Sequence, residues 1–127
     1  MTRQLQAYAP TVLGILRIVA ALLFIEHGTM KLFGFPASDM RPSLFSLIGL
    51  AGILEVVGGI MILVGFWTRA AAFILSGQMA VAYWMVHAPQ SVFPVKNGGD
   101  AAILFCFIFL YLVFAGPGAF ALDSKRA

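Results

Sequence analysis

Two long apolar runs of this chain contain ionisable side chains in their interior. Glu55 lies in the middle of the run 44–67. The run 11–35 is interrupted by Arg17, Glu26 and His27. A charge at the centre of a bilayer costs roughly 2.5–3.5 kcal/mol on insertion scales, so such residues normally face a partner or a water-filled cavity. The pattern therefore places the chain in a membrane and marks where buried polar contacts have to form.

The composition requires most of the surface to be covered by lipid. The chain has 127 residues, of which 61% are hydrophobic and 10% charged, and its mean hydropathy is +0.98. Its net charge of +3 comes from scattered residues, which argues against a nucleic-acid-binding surface. Because Cys106 is the only cysteine, a disulfide or dithiol site within one chain is excluded. We predict an all-α bundle of four transmembrane helices, forming one domain over residues 1–127.

Turn-forming residues divide the chain into the four predicted spans. Pro36 follows the first, Pro89 the third, and Gly116-Pro117-Gly118 the fourth. The first span is long enough to cross about 30 Å of hydrocarbon with some tilt. The predicted spans are residues 11–35, 43–66, 70–87 and 98–115.

An even number of spans places both termini on the same side of the membrane as the turn at Arg69. The basic residues of that side are Arg3, Arg69, Lys125 and Arg126. Those of the other side are Lys31, Arg41 and Lys96. Since cytoplasmic segments carry the excess of Lys and Arg, we predict that both termini are cytoplasmic.

The first polar cluster is a predicted mid-membrane network of Arg17, Glu55 and Gln78. At about 1.5 Å per residue, Arg17 lies roughly 9 Å and the other two residues about 15 Å from the cytoplasmic ends of their spans. An arginine side chain covers that difference, so we expect Arg17 to contact Glu55. The pair would either lock two helices together, which is the favoured interpretation, or serve as an ion relay or a quinone headgroup site.

The second polar cluster is predicted near the opposite face of the membrane. Its members are Glu26, His27, Lys31, His87, Asn97 and Asp100. His27 and His87 should lie at similar depth, but no metal-ligand spacing accompanies them, so hydrogen-bonded histidines are favoured over haem or metal ligation. Lys31 is expected to extend to the lipid headgroups. Glu26 points away from Arg17 on the helix, towards a different neighbour or another subunit.

Two further predictions concern helix ends. Asn97 is expected to cap the fourth span, with Asp100 at its third helical position beside the positive helix end. Arg69 and Asp123 are predicted to tie the tail to the second turn. Gly52 and Gly59, together with Gly77 on the third span, would allow neighbouring helices to approach closely.

The combined motifs resemble the DoxX family of small bacterial inner-membrane proteins. The resemblance covers about residues 13–123 and departs from the family pattern at Asp100, where the family often has a glutamate. The residues that carry it are Arg17, Glu26-His27-Gly28, Lys31-Leu32-Phe33-Gly34-Phe35, Gly52, Glu55, Gly58-Gly59, Gly65, Thr68-Arg69, Asn97-Gly98-Gly99-Asp100, Gly116-Pro117-Gly118 and Leu122-Asp123.

The resemblance implies a four-helix membrane bundle related to the membrane subunit of thiosulfate:quinone oxidoreductase. It also implies a bacterial inner-membrane location and a role in membrane redox or oxidative-stress complexes. Quinone is the one cofactor suggested in this way, while haem is disfavoured and no metal site is expected. Besides the lipid bilayer, a membrane or peripheral protein partner or a homo-oligomer is expected, and nucleic acid is not.

Three functions fit these observations, and they leave open whether the protein is an enzyme. The leading hypothesis is an accessory or structural subunit in a membrane redox context. The second is a quinone-linked oxidoreductase subunit, in which Glu55 or His27 handles protons while Arg17 or Lys31 polarises the quinone oxygen. The third is a small transporter or channel that uses the Arg17–Glu55 pair as its coupling site.

Overall fold

A computed structural model describes residues 1–36 and 45–125 and contains only helices and turns in those ranges. The predicted start of the second span at residue 43 lies outside the described residues. The same is true of Arg41 and Arg126, two of the basic residues used to predict the side of the termini. The α-helices are α1 (Thr2–Ala7), α2 (Ala9–Phe33), α3 (Leu47–Val64), α4 (Thr68–Ala82), α5 (Pro94–Asn97) and α6 (Asp100–Ala115). A π-helical turn (Tyr83–His87) and a 3-10 turn (Ala88–Gln90) continue α4, and another 3-10 turn (Leu122–Lys125) lies in the tail.

Within the described residues, three helices are long and apolar enough to cross a membrane. They are Ala9–Phe33, Leu47–Val64 and Thr68–Gln90. The fourth apolar helix, α6, has 16 residues. At about 1.5 Å per residue it is shorter than the usual hydrocarbon thickness. The predicted all-α class is confirmed, with three to four helices that could span the bilayer.

Glycine and serine form the ends of the two longest helices in the first half of the chain. Gly34 ends α2 and Gly65 ends α3, with φ of 67° and 70°, a left-handed conformation that glycine adopts without steric cost. The N-terminus of α3 is capped by Ser46, whose hydroxyl accepts a hydrogen bond from the Gly49 N–H at 3.0 Å.

The helices pack as two main pairs, α2 against α3 and α4 against α6. Glycines fix the antiparallel register of the first pair. A Cβ atom on Gly28 would lie 2.9 Å from Cβ of Glu55, and one on Gly59 would lie 2.6 Å from Cγ1 of Ile25. The level of Glu55 on α3 therefore corresponds to Gly28 on α2. In the same register, Arg17 lies beside Gly65, at the end of α3.

Aromatic side chains from α2 and α6 join the two helix pairs. Phe24 is fully buried, and its ring lies edge-on to Phe105 and Phe109, with centroid distances of 5.2 Å and 4.9 Å. Such arrangements stabilise a core beyond the area they bury. The other buried members of this core are Ala21, Ile62, Ala71, Ala72, Leu75, Met79, Ala102 and Leu112.

The outer surface of the bundle is apolar, as a lipid-facing surface has to be. Exposed large side chains occur on every long helix, and examples are Leu23, Ile60, Phe73, Ile74, Phe107 and Phe114. Gly77 lies on this surface, and a Cβ atom there would meet nothing within 4 Å. The close helix packing predicted at Gly77 is therefore not formed in this chain, although the packing predicted at Gly52 and Gly59 is.

Candidate functional site

A buried ion pair joins the last turn of α2 to the middle of α3. The Lys31 ammonium group donates to both carboxylate oxygens of Glu55, at 2.6 and 2.7 Å. The side chain of Glu55 is 2% exposed and that of Lys31 is 22% exposed. The carboxylate of Glu55 is therefore inaccessible from outside the bundle, whereas the side chain of Lys31 is partly accessible.

Two glycines make room for this ion pair. Helical side chains lean over the preceding turn, so Lys31 extends over Gly28 and Glu55 extends over Gly52. Gly28 lies directly against Cβ of Glu55, and a Cβ atom on Gly52 would lie 3.2 Å from Cβ of Lys31. With a larger residue at either glycine, the two helices would have to separate at the level of the pair.

This geometry corrects the predicted network of Arg17, Glu55 and Gln78. Glu55 pairs with Lys31, which does not extend to the headgroups as expected, and Arg17 bonds elsewhere. The reason is the register of α2 and α3. Arg17 is 11 residues from Gly28, the residue level with Glu55, and this corresponds to roughly 16 Å along the helix.

An apolar cavity of about 250 Å³ lies between α3 and α4, and the ion pair forms part of its wall. We call it the α3–α4 cavity. Its polar lining residues are Lys31, Glu55, Gln78 and His87, and its apolar ones are Leu47, Ile48, Leu50, Ala51, Leu54, Val81, Ala82, Met85 and Val86. Several of the apolar residues, including Leu47 and Met85, are also exposed on the outside of the bundle. The cavity is therefore accessible from the lipid-facing side.

Gln78 supplies an amide to the α3–α4 cavity. Its Nε2 lies 3.4 Å from the Ala51 carbonyl oxygen, which is long for a hydrogen bond. Its Oε1 is buried and has no hydrogen-bond partner among the residues that the structure describes. A buried amide oxygen without a partner is costly, so this position favours a ligand or water that can donate to it.

A smaller cavity, of about 150 Å³, lies on the other side of the ion pair and is lined by both histidines of the chain. We call it the histidine cavity. Nδ1 of His27 lies 2.9 Å from the Leu23 carbonyl oxygen, and Nδ1 of His87 lies 3.0 Å from that of Asn97. Because a carbonyl only accepts, Nδ1 is the donor in each ring, and Nε2 of the neutral ring is left as an acceptor.

The two cavities share Lys31, Glu55, Ala82 and His87. His87 lies at the end of the π-helical turn that extends α4. Such turns occur frequently at functional sites, because they displace a side chain from the regular helical position. Over residues 1–36 and 45–125, no three His, Cys, Asp or Glu side chains are grouped closely enough to hold a metal ion.

Comparison with known proteins identifies the family. The DoxX family model matches residues 12–88, a range that includes Lys31, Glu55, Gln78 and His87. The chain belongs to the DoxX family. The resemblance noted in the sequence is thereby confirmed.

The DoxX relatives are similar over nearly their whole length. The chain is 45% identical to an uncharacterized protein of Haemophilus influenzae, over 95% of each chain. It is 31% identical to the inner membrane protein YphA of Escherichia coli, over 94% of this chain and 93% of that protein. Identity to the inner membrane protein YqjF of Escherichia coli is 30%, over 84% of this chain and 85% of that protein. No solved structure matches the chain. These relatives and the apolar helices support a multi-pass membrane location.

In this DoxX chain, Arg17 binds the tail that follows α6. Its guanidinium donates to the carbonyl oxygens of Pro117, of Ala119 at 3.0 Å and of Phe120 at 2.8 Å. A longer contact of 3.5 Å reaches the carbonyl oxygen of Leu63 in α3. Arg17 is fully buried, and its charge is stabilised by backbone carbonyl dipoles of the tail together with the electrostatic attraction of Asp123. This arrangement is structural, since it fixes the tail against α2 and α3.

The predicted contact between Arg69 and Asp123 is not formed. Asp123 accepts hydrogen bonds from the N–H groups of Trp67 and Thr68, each at 2.9 Å, at the N-terminus of α4. Arg69 donates to the carbonyl oxygens of Val113 and Phe114 at the C-terminus of α6. Each charge therefore binds the helix end of opposite polarity, which satisfies backbone groups that the helices leave unpaired.

The capping arrangement at Asn97 also differs from the prediction. Asn97 ends the short helix α5, and Gly98 follows in a left-handed conformation. The cap residue of α6 is Gly99, whose N–H donates to Oδ1 of Asn97 at 2.8 Å, and Asp100 is the first residue of the helix. The prediction failed because Pro94 begins a separate helical turn, so that Asn97-Gly98 ends one helix instead of beginning the next.

The sequence contains a pattern that indicates the ion pair but that the estimate of depth from the span ends does not include. Each partner follows a glycine by three positions, as Gly28-x-x-Lys31 and Gly52-x-x-Glu55. A long charged side chain that leans over a glycine can lie in a helix interface without displacing the neighbouring helix. Arg17 also follows a glycine by three positions, but Gly14 packs against the tail at Ala119 instead.

Proposed function

We propose that this protein is an accessory subunit of a membrane redox assembly, in which the α3–α4 cavity binds the headgroup of a lipid-soluble quinone. The observation that carries the proposal is the Lys31–Glu55 pair in the wall of an apolar cavity that is accessible from lipid. Ligand sites in proteins are mostly apolar, with a few polar groups that orient the ligand. This cavity has that composition, and its approach from lipid suits a hydrophobic ligand.

The polar groups of the cavity can form hydrogen bonds with both the oxidised quinone and the reduced quinol. The ammonium of Lys31 has three hydrogens, of which two are used by the carboxylate of Glu55, so the third is available to a carbonyl oxygen. The unpaired Oε1 of Gln78 can accept a hydrogen bond from a hydroxyl group, and Nε2 can donate one to a carbonyl. When bound, a quinone supplies two-electron chemistry coupled to proton uptake.

Protons for that chemistry would come from the histidine cavity. His87 lines both cavities, and His27 lines the histidine cavity beside Lys31 and Glu55. Histidine is suited to proton exchange near neutral pH. Since the chain has a single cysteine, a dithiol within one chain cannot supply the electrons, which would come from a partner protein.

We also infer that both termini lie in the cytoplasm. In the described residues, Arg3, Arg69 and Lys125 are on the side of the α3–α4 turn. Among the described residues of the opposite loops, the corresponding basic residue is Lys96, because Lys31 is bound to Glu55 inside the bundle. This distribution favours a cytoplasmic position for the termini. Cysteine accessibility at Ser124→Cys and Ser91→Cys in intact cells would test it, since only the second should react with an impermeant reagent.

Binding of a short-chain quinone to the purified protein in lipid nanodiscs tests the ligand. We expect saturable binding of decylubiquinone and a loss of at least about tenfold in affinity for Gln78→Leu, equivalent to one good hydrogen bond. Gln90→Leu is the matched control, because Gln90 lies outside both cavities and bonds to the Val86 carbonyl oxygen. Absence of saturable binding, or equal affinities for the two variants, would contradict the proposal.

A further inference from the structure

One charged residue of α2 faces outwards. The exposed residues of this helix recur at spacings of four and three and form a straight apolar seam, which we call the α2 seam. Its exposed members include Val12, Leu16, Val19, Leu23, Glu26 and Phe33. Such spacing is typical of a helix face that can pack against one other helix. Glu26 is the only charged member of the α2 seam, since α2 is described in full.

Glu26 lies near the middle of the membrane-spanning part of the bundle. It is two residues from Gly28, which is level with Glu55, and Glu55 lies eight residues from the start of α3 and nine from its end. At about 1.5 Å per residue, the level of Glu26 is roughly 10 Å from the nearer end of α3 and from the end of α2 at Phe33. A glutamate side chain is too short to cover that distance, whereas the side chains that reach the membrane surface are long and near helix ends.

The carboxylate of Glu26 has no ion pair or hydrogen bond with any residue in the described ranges 1–36 and 45–125. The hydrogen bond that Thr29 donates to Glu26 goes to its backbone carbonyl. The two cations closest along the same helix are both committed, Lys31 to Glu55 and Arg17 to the tail. The other two charges of α2 thus have partners within the chain, whereas Glu26 has none among residues 1–36 and 45–125.

We propose that the α2 seam docks a transmembrane helix of a different polypeptide, and that this helix presents a lysine or arginine to Glu26 at mid-membrane depth. Charge complementarity selects the partner, because an unpaired carboxylate in lipid is costly and a cation at equal depth removes that cost. A second copy packed through the same seam around a two-fold axis would bring Glu26 against Glu26, which places like charges together.

Co-reconstitution with designed peptides tests this docking. The probes are a biotinylated polyleucine transmembrane peptide with one central arginine and the same peptide without it. After reconstitution in lipid vesicles and mild solubilisation, we expect the arginine peptide to capture at least about tenfold more protein than the polyleucine peptide. Glu26→Gln should reduce capture to the polyleucine level, and Glu26→Asp should retain most of it.

Asp100→Asn is the matched control, because Asp100 is also an exposed acid but lies at the start of α6, away from the α2 seam. It should leave capture unchanged. Equal capture by both peptides, or capture that survives Glu26→Gln, would overturn the proposal. Self-association of the wild-type protein that is lost in Glu26→Gln would also overturn it, in favour of a second copy.

The docking and quinone proposals can fail separately. Glu26 lines neither of the two cavities, so Glu26→Gln should leave decylubiquinone binding unchanged. Likewise, Gln78→Leu should leave peptide capture unchanged.

Discussion

Lys31→Met removes the partner of a carboxylate that cannot reach water. Because the Glu55 side chain is 2% exposed and its two oxygens both accept from Lys31, the variant leaves a buried, uncompensated charge. Breaking a buried pair in this way costs about 3–5 kcal/mol. Glu55→Leu should fall at the lower end of that range, since the Lys31 side chain is already 22% exposed and is flexible enough to turn outwards.

Replacing both residues removes the charge completely. The double variant Lys31→Met, Glu55→Leu should lie within about 1 kcal/mol of the wild-type free energy of unfolding, because apolar replacement of a buried pair is often neutral. The coupling energy between the two sites should therefore be about 3 kcal/mol or more. The assay is reversible unfolding in mixed micelles with increasing dodecyl sulfate, followed by circular dichroism and repeated for all four proteins of the cycle.

The pair Arg17 and Glu55 serves as the control cycle. Their levels differ by roughly 16 Å along α2, so Arg17→Met and Glu55→Leu should add to within about 0.5 kcal/mol. Coupling between Arg17 and Glu55 together with additivity between Lys31 and Glu55 would refute the α2–α3 register on which the site depends.

Two further predictions test packing and the tail. Gly28→Ala should lower the free energy of unfolding by about 1–3 kcal/mol, because its Cβ would lie 2.8 Å from Cγ2 of Val56. Gly77→Ala should be neutral or stabilising by up to about 1 kcal/mol, because a Cβ at this position meets nothing within 4 Å. Denaturant titration measures the free energy of unfolding of both variants and tests this difference. Arg17→Lys should increase the rate of limited proteolysis after residue 116, because one ammonium group cannot replace the planar fork that binds three tail carbonyls; an unchanged cleavage rate would show that the tail is held by other contacts.

The sequence predicts the class of fold because hydrophobic length and turn residues are local properties. The observed α2 (Ala9–Phe33) and α6 (Asp100–Ala115) begin and end within two residues of the predicted spans 11–35 and 98–115. The agreement is close because Gly34, Gly116 and Pro117 end helices through their effect on the immediately neighbouring residues. The family follows from the same motifs. The predicted third span, 70–87, includes the extension of α4 to His87, but its π-helical form was not predicted, because no residue in Tyr83–His87 indicates it.

The pairing of charges could not be predicted from depth alone. Counting residues from each predicted span end assumed that Thr11 and the α3–α4 turn mark the same membrane level. In the structure, the first turns of α2 pack against the tail, where the Ala119 N–H donates to the Pro10 carbonyl oxygen at 2.9 Å. α2 therefore extends past the end of α3, and Arg17 is displaced from Glu55. Register between helices depends on side-chain packing, which single-helix periodicity does not contain.

Three charged residues of α2 illustrate three ways of placing a charge in a membrane bundle. Arg17 is stabilised by backbone carbonyls of the tail together with Asp123, and Lys31 by a carboxylate on the neighbouring helix. Both charges are stabilised by groups of the chain itself, which is consistent with structural roles for Arg17 and for the ion pair. Glu26 has neither solution among the described residues, although it lies at nearly the same level as the ion pair. Because the same helix satisfies its other charges internally, the outward position of Glu26 is better explained by a contact with another polypeptide than by tolerance of an unpaired charge in lipid.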